Sequence, residues 1–191
     1  TQVSIGLDGD LDFPEGTVLM KHFEVDGRLI ETRLFMRHAT GDWAGYAYEW
    51  DVANTEATLL AAGKRLSLSA QEWDIPSRSD CVKCHTFAAG GSLGPELSQL
   101  ERSLTYDATG RTADQVDTLE HIGLFATTPP VAIDPMAALS GPEPLEERAR
   151  AYMHVNCSSC HRPDGGTRAA LDLRRDVALA DSGLCDAPLL G

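Results

Sequence analysis

Residues 17–38 read TVLMKHFEVDGRLIETRLFMRH. Two runs, Thr17–Val25 and Arg28–His38, flank Asp26-Gly27, and an Asp-Gly pair between alternating runs is a two-residue hairpin signal. In the second run Ile30, Thr32, Leu34, Met36 and His38 alternate with Leu29, Glu31, Arg33, Phe35 and Arg37. That period of two is a strand with its charges gathered on one face. Gly41-Asp42 marks the next turn, and Trp43–Trp50 follows with Tyr46, Tyr48 and Trp50 on one side. Lys64–Ser69 and Glu72–Ile75 supply further short strands before Pro76 ends the section. The first 76 residues are therefore expected to form a β-rich unit, a meander or sandwich-like sheet.

From Ser77 onward the pattern turns helical and loop-rich. Pro95 sits in the favoured first turn of a helix to about Leu104. Thr112–Phe125 reads as a second helix with Thr112 as N-cap and Val116, Leu119 and Gly123 along one face. Thr127–Pro144, carrying Pro129, Pro130, Pro135, Pro142 and Pro144, reads as a linker. A third helix, Leu145–Asn156, has an apolar stripe of Leu145, Ala149, Tyr152 and Met153. The expected class is α+β: residues 1–76 a β-rich unit, 77–128 a first helical segment, 129–144 the Pro-rich linker, and 145–191 a second helical segment.

The chain has 191 residues, 29 Asp and Glu against 16 Lys and Arg, and a net charge of −13. Such acidity excludes nucleic acid as an expected partner, since phosphate binding needs a basic patch. No run reaches the ~18 apolar residues of a membrane helix. The start carries neither an initiator Met nor a signal-like segment, so a mature or trimmed chain is expected. The charge is uneven: residues 145–175 hold six arginines against four acids, whereas residues 1–144 carry −12 and residues 176–191 carry −3.

Four of the five cysteines fall in two identical frames, Cys81-Val82-Lys83-Cys84-His85 and Cys157-Ser158-Ser159-Cys160-His161. C-x-x-C-H is the attachment pattern of c-type haem. Two thiols three positions apart reach the two vinyl groups on one haem edge, and the following His supplies the fixed axial ligand. The expectation is two covalent haem c groups on Cys81, Cys84, Cys157 and Cys160, with His85 and His161 as proximal iron ligands. A zinc site or a dithiol pair is the weaker alternative. Zinc pairs usually lie ~12–20 residues apart, and a redox dithiol needs no following His. Cys185 is left over, either a buried small hydrophobe or the partner of a cysteine beyond the terminus.

Further stretches resemble a family of bacterial dihaem c-type cytochrome-like proteins. They are Phe13-Pro14-x-Gly16-Thr17-Val18, Ile30-Glu31-Thr32-Arg33, Gly45-Tyr46-x-Tyr48-x-Trp50, Pro76-Ser77-Arg78-x-x-Cys81, Leu93-Gly94 and Arg148-Ala149-Arg150-Ala151-Tyr152. The resemblance implies a β-rich N-terminal part, two cytochrome c-like segments and export, hence a periplasmic or extracellular location. Family members continue past the region of Gly191 into a segment with a Met, so the chain reads as truncated.

The sixth ligand of each iron decides the chemistry. His121, 36 residues after His85 within Leu119-Glu120-His121-Ile122-Gly123, is the leading candidate, with Met36, His38 and Met136 behind it. Met153 reads as core, and His154 as a surface residue or a propionate contact. Asp8, Asp10 and Asp12 read as a solvated acidic loop, because no EF-hand register follows them. Gly165-Gly166 reads as ordinary loop. The leading functional expectation is a dihaem cytochrome relaying single electrons between redox partner proteins, such as a secreted dehydrogenase. The alternatives are a dihaem peroxidase with one open iron, or a haem sensor or binding module whose Tyr46, Tyr48 and Trp50 dock a carbohydrate or protein. An electron-transfer protein is favoured over a catalyst.

Overall fold

Both residues of the Asp26-Gly27 turn take positive φ, 52° and 74°, in the computed structural model of the protein. The structure describes residues 2–68, 71–168 and 170–187. In chain order they form β1 (Ser4–Ile5), β2 (Leu11–Asp12), β3 (Val18–Val25), β4 (Arg28–Arg37), β5 (Trp43–Trp50), β6 (Ala57–Leu59), β7 (Lys64–Ser67) and β8 (Glu72–Ile75). Then follow α1 (Arg78–Cys84), α2 (Leu97–Leu100), β9 (Ser103–Tyr106), β10 (Arg111–Asp114), α3 (Gln115–His121) and α4 (Leu145–Cys157). This is a mixed α+β chain with strands concentrated toward the N-terminus and helices later.

Contacts divide the chain into two units, one of residues 13–85 and one of residues 1–12 with 86–191. In the first, β3, β4, β5 and β6 form an antiparallel sheet in sequence order, and β7 pairs with β8. Cross-strand partners such as Lys21 with Arg33 and Arg33 with Ala47 fix the register. The expected strand Lys64–Ser69 runs from Lys64 to Ser67, and Ser69 lies outside the described residues.

Both faces of β4 carry buried residues, Ile30 and Thr32 on one and Glu31 and Phe35 on the other. Glu31 is fully buried. Arg33 donates to both its oxygens, Nε at 2.5 Å and Nη2 at 2.9 Å, and Trp73 Nε1 donates at 3.0 Å. The Arg33 guanidinium lies 4.3 Å from the centroid of Phe23, whose ring meets Trp73 edge-on at 5.4 Å. A charge removed from water is tolerable only when paired and hydrogen-bonded, and this cluster meets both conditions. On the opposite face the aromatic row lies half-buried: Trp50 Nε1 donates to Thr32 Oγ1, and Tyr46 OH bonds His38 Nε2. The outer strands leave Val18, Met20 and Leu59 exposed.

In the second unit the chain departs from the helical expectation between residues 95 and 125. The expected helix from Pro95 to Leu104 is one turn, Leu97–Leu100. Ser103–Tyr106 and Arg111–Asp114 pair as a hairpin, with Thr105 and Thr112 hydroxyls 2.8 Å apart. Thr112 is thus a strand residue. Asp114 caps α3 instead, accepting from the backbone N–H of Val116 and Asp117. Val116 is buried, and Phe125 joins the core beside Val3 through a parallel bridge.

Replacing Glu31 by Ala removes the acceptor that Arg33 and Trp73 share. The expected cost is about 3–5 kcal/mol, as for breaking a buried pair. Glu31→Gln, which keeps one acceptor oxygen, is expected to lose less. Urea unfolding followed by tryptophan fluorescence measures both, and equal stability of Glu31→Ala and the parent would contradict the assignment.

Candidate functional site

Helix α4 runs from a Pro144 N-cap with Glu146 and Glu147 in its first turn, where acids suit the helix dipole. Its inward face is not the apolar stripe read from the sequence: Leu145 and Tyr152 are exposed, and Ala151 is the buried residue. One turn on from Ala151 stands His154, with Ser158 buried a further turn along. The His154 side chain is only 12% exposed. Its Nδ1 accepts the backbone N–H of Arg175 at 3.0 Å, so Nε2 carries the proton and donates to Glu96 Oε2 at 3.1 Å.

Glu96 is buried, and its other oxygen accepts from Ser98 Oγ at 2.8 Å. Burial raises its pKa, but the bonds from His154 and Ser98 outweigh burial and hold the carboxylate below its ordinary value. Arg175 completes the ring. Its guanidinium bonds Asp134 and the carbonyls of Asp134 and Pro135, while Met136 N–H donates to Ser98 O at 2.7 Å.

Asp10 faces this ring from the turn between β1 and β2. Gly6 N–H donates to Asp10 O, Leu97 N–H to Gly9 O, and Asp10 bridges to Glu96. Its carboxyl accepts no hydrogen bond among the described residues. Burial, then the neighbouring charges of Asp8 and Glu96, raise it to about 6, against a smaller opposing pull from Arg162 and His154. Asp10, Glu96, His154 and Arg162 line two neighbouring cavities, one of about 70 Å³ and one of about 290 Å³. The larger has apolar wall from Ile5, Leu97 and Ile133.

The residues singled out in the sequence lie elsewhere. Cys81 is on α1 in the unit of residues 13–85, its Sγ 2.5 Å from where a Cβ on Gly45 would stand. Burial pushes its thiol up. Cys84 is exposed, and the His85 ring lies 3.9 Å from that of Phe35. Cys157 ends α4, Cys160 follows in the next turn, and both are half-buried in the other unit. His161 Nδ1 is buried with no hydrogen-bond partner. His121 is exposed at the end of α3; Met36 lies on β4; His38 bonds Tyr46; Met136 Sδ lies 3.8 Å from Arg175 Nη1. No disulfide joins any of these cysteines, and Cys185 is in an exposed position.

Among the described residues no group of three or more His, Cys, Asp or Glu side chains could hold a metal ion. That finding overturns the expectation of two haem c groups on Cys81, Cys84, Cys157 and Cys160. With it fall dihaem electron transfer, the peroxidase and haem-sensor alternatives, and the likeness to bacterial dihaem cytochromes. No family model matches the chain, and neither a curated protein nor a solved structure matches it. Among the described residues no helix is long and apolar enough to cross a membrane.

The sequence places His154 at the surface and Asp10 in a solvated loop and does not single out Glu96, because the segments that surround them are remote in sequence. Glu96 and His154 are 58 residues apart, and nothing local distinguishes a buried acid from a solvated one.

Two outcomes follow from these contacts. Because the folded state raises Asp10 from 3.8 to about 6, folding takes up a proton between those values, and stability falls as pH rises through that window. Asp10→Asn is expected to unfold at the same temperature as the parent near pH 3.5 and to be the more stable at pH 7. The gain is on the order of 1 kcal/mol after solvent screening at a half-buried group. Separately, Gly45→Ala is expected to cost about 1–3 kcal/mol through overpacking against Cys81. Combining it with Cys81→Ala should recover part of that loss in a double-mutant cycle.

Proposed function

We propose that the unit of residues 1–12 and 86–191 is a small-molecule binding module whose site is the cleft over Asp10, Glu96, His154 and Arg162. The observation that carries this reading is the cleft itself, about 290 Å³ with apolar wall on one side and four convergent ionisable side chains on its floor. Binding sites combine those two kinds of lining, and a volume at the low end of their range suits a ligand of few heavy atoms.

Binding is favoured over acyl-transfer chemistry by the order of the hydrogen bonds. Ser98, Glu96 and His154 are the residue types of a hydrolytic triad, but the carboxylate stands in the middle: Ser98 donates to Glu96, and His154 donates to Glu96. A triad needs the histidine between nucleophile and acid. Here both imidazole nitrogens are engaged, and the Ser98 hydroxyl is bonded to the Glu96 carboxylate instead of to the imidazole. The ring therefore acts as a rigid floor. The net charge of −13 supports a basic protein as any macromolecular partner of the module. A periplasmic or extracellular setting rested on the haem reading and gains no separate support from the fold.

The reading is tested by nuclear magnetic resonance of the whole chain against a panel of small amines, carboxylic acids and alcohols at millimolar concentration. Ligands are expected to shift the backbone amides of Asp10, Ser98, Ile133 and His154 together. A panel that shifts none of these, or only amides remote from them, would sink the proposal.

A further inference from the structure

The cleft is surrounded by charge, yet most of that charge is already spent on the protein. Arg162 gives Nε to Ser158 O and Nη1 to Ala88 O, both at 2.9 Å. Arg174 is held by the Asp172 carboxylate, at 2.9 Å from Nε and 2.6 Å from Nη2. Arg175 is held by Asp134 and two carbonyls. Glu96 is satisfied by His154 and Ser98. What the cleft lacks is a donor for Asp10, whose carboxyl faces it without a hydrogen bond. A ligand carboxylate would meet arginines already engaged by Asp172, Asp134 and backbone carbonyls, and would add a further negative charge beside Asp8, Asp10 and Glu96.

Resting on the binding function proposed above, we infer that the ligand is a small organic cation, an alkylammonium whose nitrogen donates to Asp10 and whose hydrocarbon lies against Ile5, Leu97 and Ile133. The ammonium supplies the missing donors and the missing charge at once, and such charge-assisted bonds are the stronger kind. The short body matches a cleft of about 290 Å³.

The charges around Asp10 set the pH behaviour. Asp8 stands on its own turn, Glu96 just before α2, His154 on α4 and Arg162 in the turn that follows. Asp134, Arg174, Arg175 and Asp176 line the rest of the cleft. With the free carboxyl raised to about 6, an ammonium that binds only the ionised form displaces a proton at lower pH. Affinity should therefore increase about tenfold between pH 5 and pH 7, following the ionised fraction of Asp10.

The experiment titrates the whole chain with butylammonium, 1-butanol and butyrate, three probes of one shape and different charge, at pH 5, 6 and 7. Butylammonium is expected to shift the amides of Asp10, Ser98 and Ile133, to bind about tenfold more tightly at pH 7 than at pH 5, and to bind better than the other two. Asp10→Asn should lose both the preference and the pH dependence, whereas Asp8→Asn should keep the preference and move the pH dependence to lower pH. Binding of butyrate or butanol at the same amides with equal strength overturns the cation inference and leaves the cleft a binding site. Unchanged butylammonium binding in Asp10→Asn also overturns it. If no probe moves those amides, the binding function falls as well.

Discussion

A carboxylate buried between four chain segments is the constraint on which residues 86–187 depend. Glu96 has little contact with water, and its charge is kept by donors from Ser98 and His154. His154 can donate only because its other nitrogen is fixed by the Arg175 backbone. Arg175 in turn anchors the proline-containing segment at Asp134 and Pro135, and Met136 returns to Ser98. The circuit is closed, so no member can leave without exposing another polar group to an unpaired burial. Residues that look like an unstructured linker by composition are thereby tied to the floor of the cleft.

A second buried carboxylate plays the matching part in residues 13–85. Glu31 draws Arg33 and Trp73 together from β4 and β8, and Arg33 stacks over Phe23 from β3. Both units thus place an acid at a position where aliphatic packing would be the simpler solution. Paired acids of this kind cost desolvation and gain geometric definition, since the hydrogen-bond directions admit few alternative arrangements.

What the sequence made legible is what depends on near neighbours. The turn at Asp26-Gly27, the strands Trp43–Trp50 and Glu72–Ile75, and the helix from Leu145 were readable because periodicity and turn chemistry are local. The strands Ser103–Tyr106 and Arg111–Asp114 overlap the ends of two expected helices, because Thr112 resembles an N-cap until its pairing with Thr105 is known. Burial of Glu31 and Glu96 is not legible, for Trp73 and His154, which cover and bond them, are 42 and 58 residues away. The paired C-x-x-C-H segments are the sharpest case. Their spacing reads as haem attachment, but the described residues hold no group of three or more His, Cys, Asp or Glu that could take a metal ion; the first motif belongs to the sheet unit and the second to the end of α4. Asp10 is the opposite case: by sequence it reads as a solvated loop residue, and in the fold it lines the cleft.

The exposed outer strand β3 has a consequence for how copies of the protein meet. Its Val18 and Met20 are open to solvent, and one row of its backbone groups has no neighbour in the sheet order β3, β4, β5, β6. An open strand edge with apolar residues is a template for pairing with another chain. Lys21 and Glu24 interrupt the apolar run, and a net charge of −13 on every copy holds neighbours apart over roughly a Debye length. Repulsion between copies is therefore a property of the whole chain's charge more than of that edge, and salt screens it.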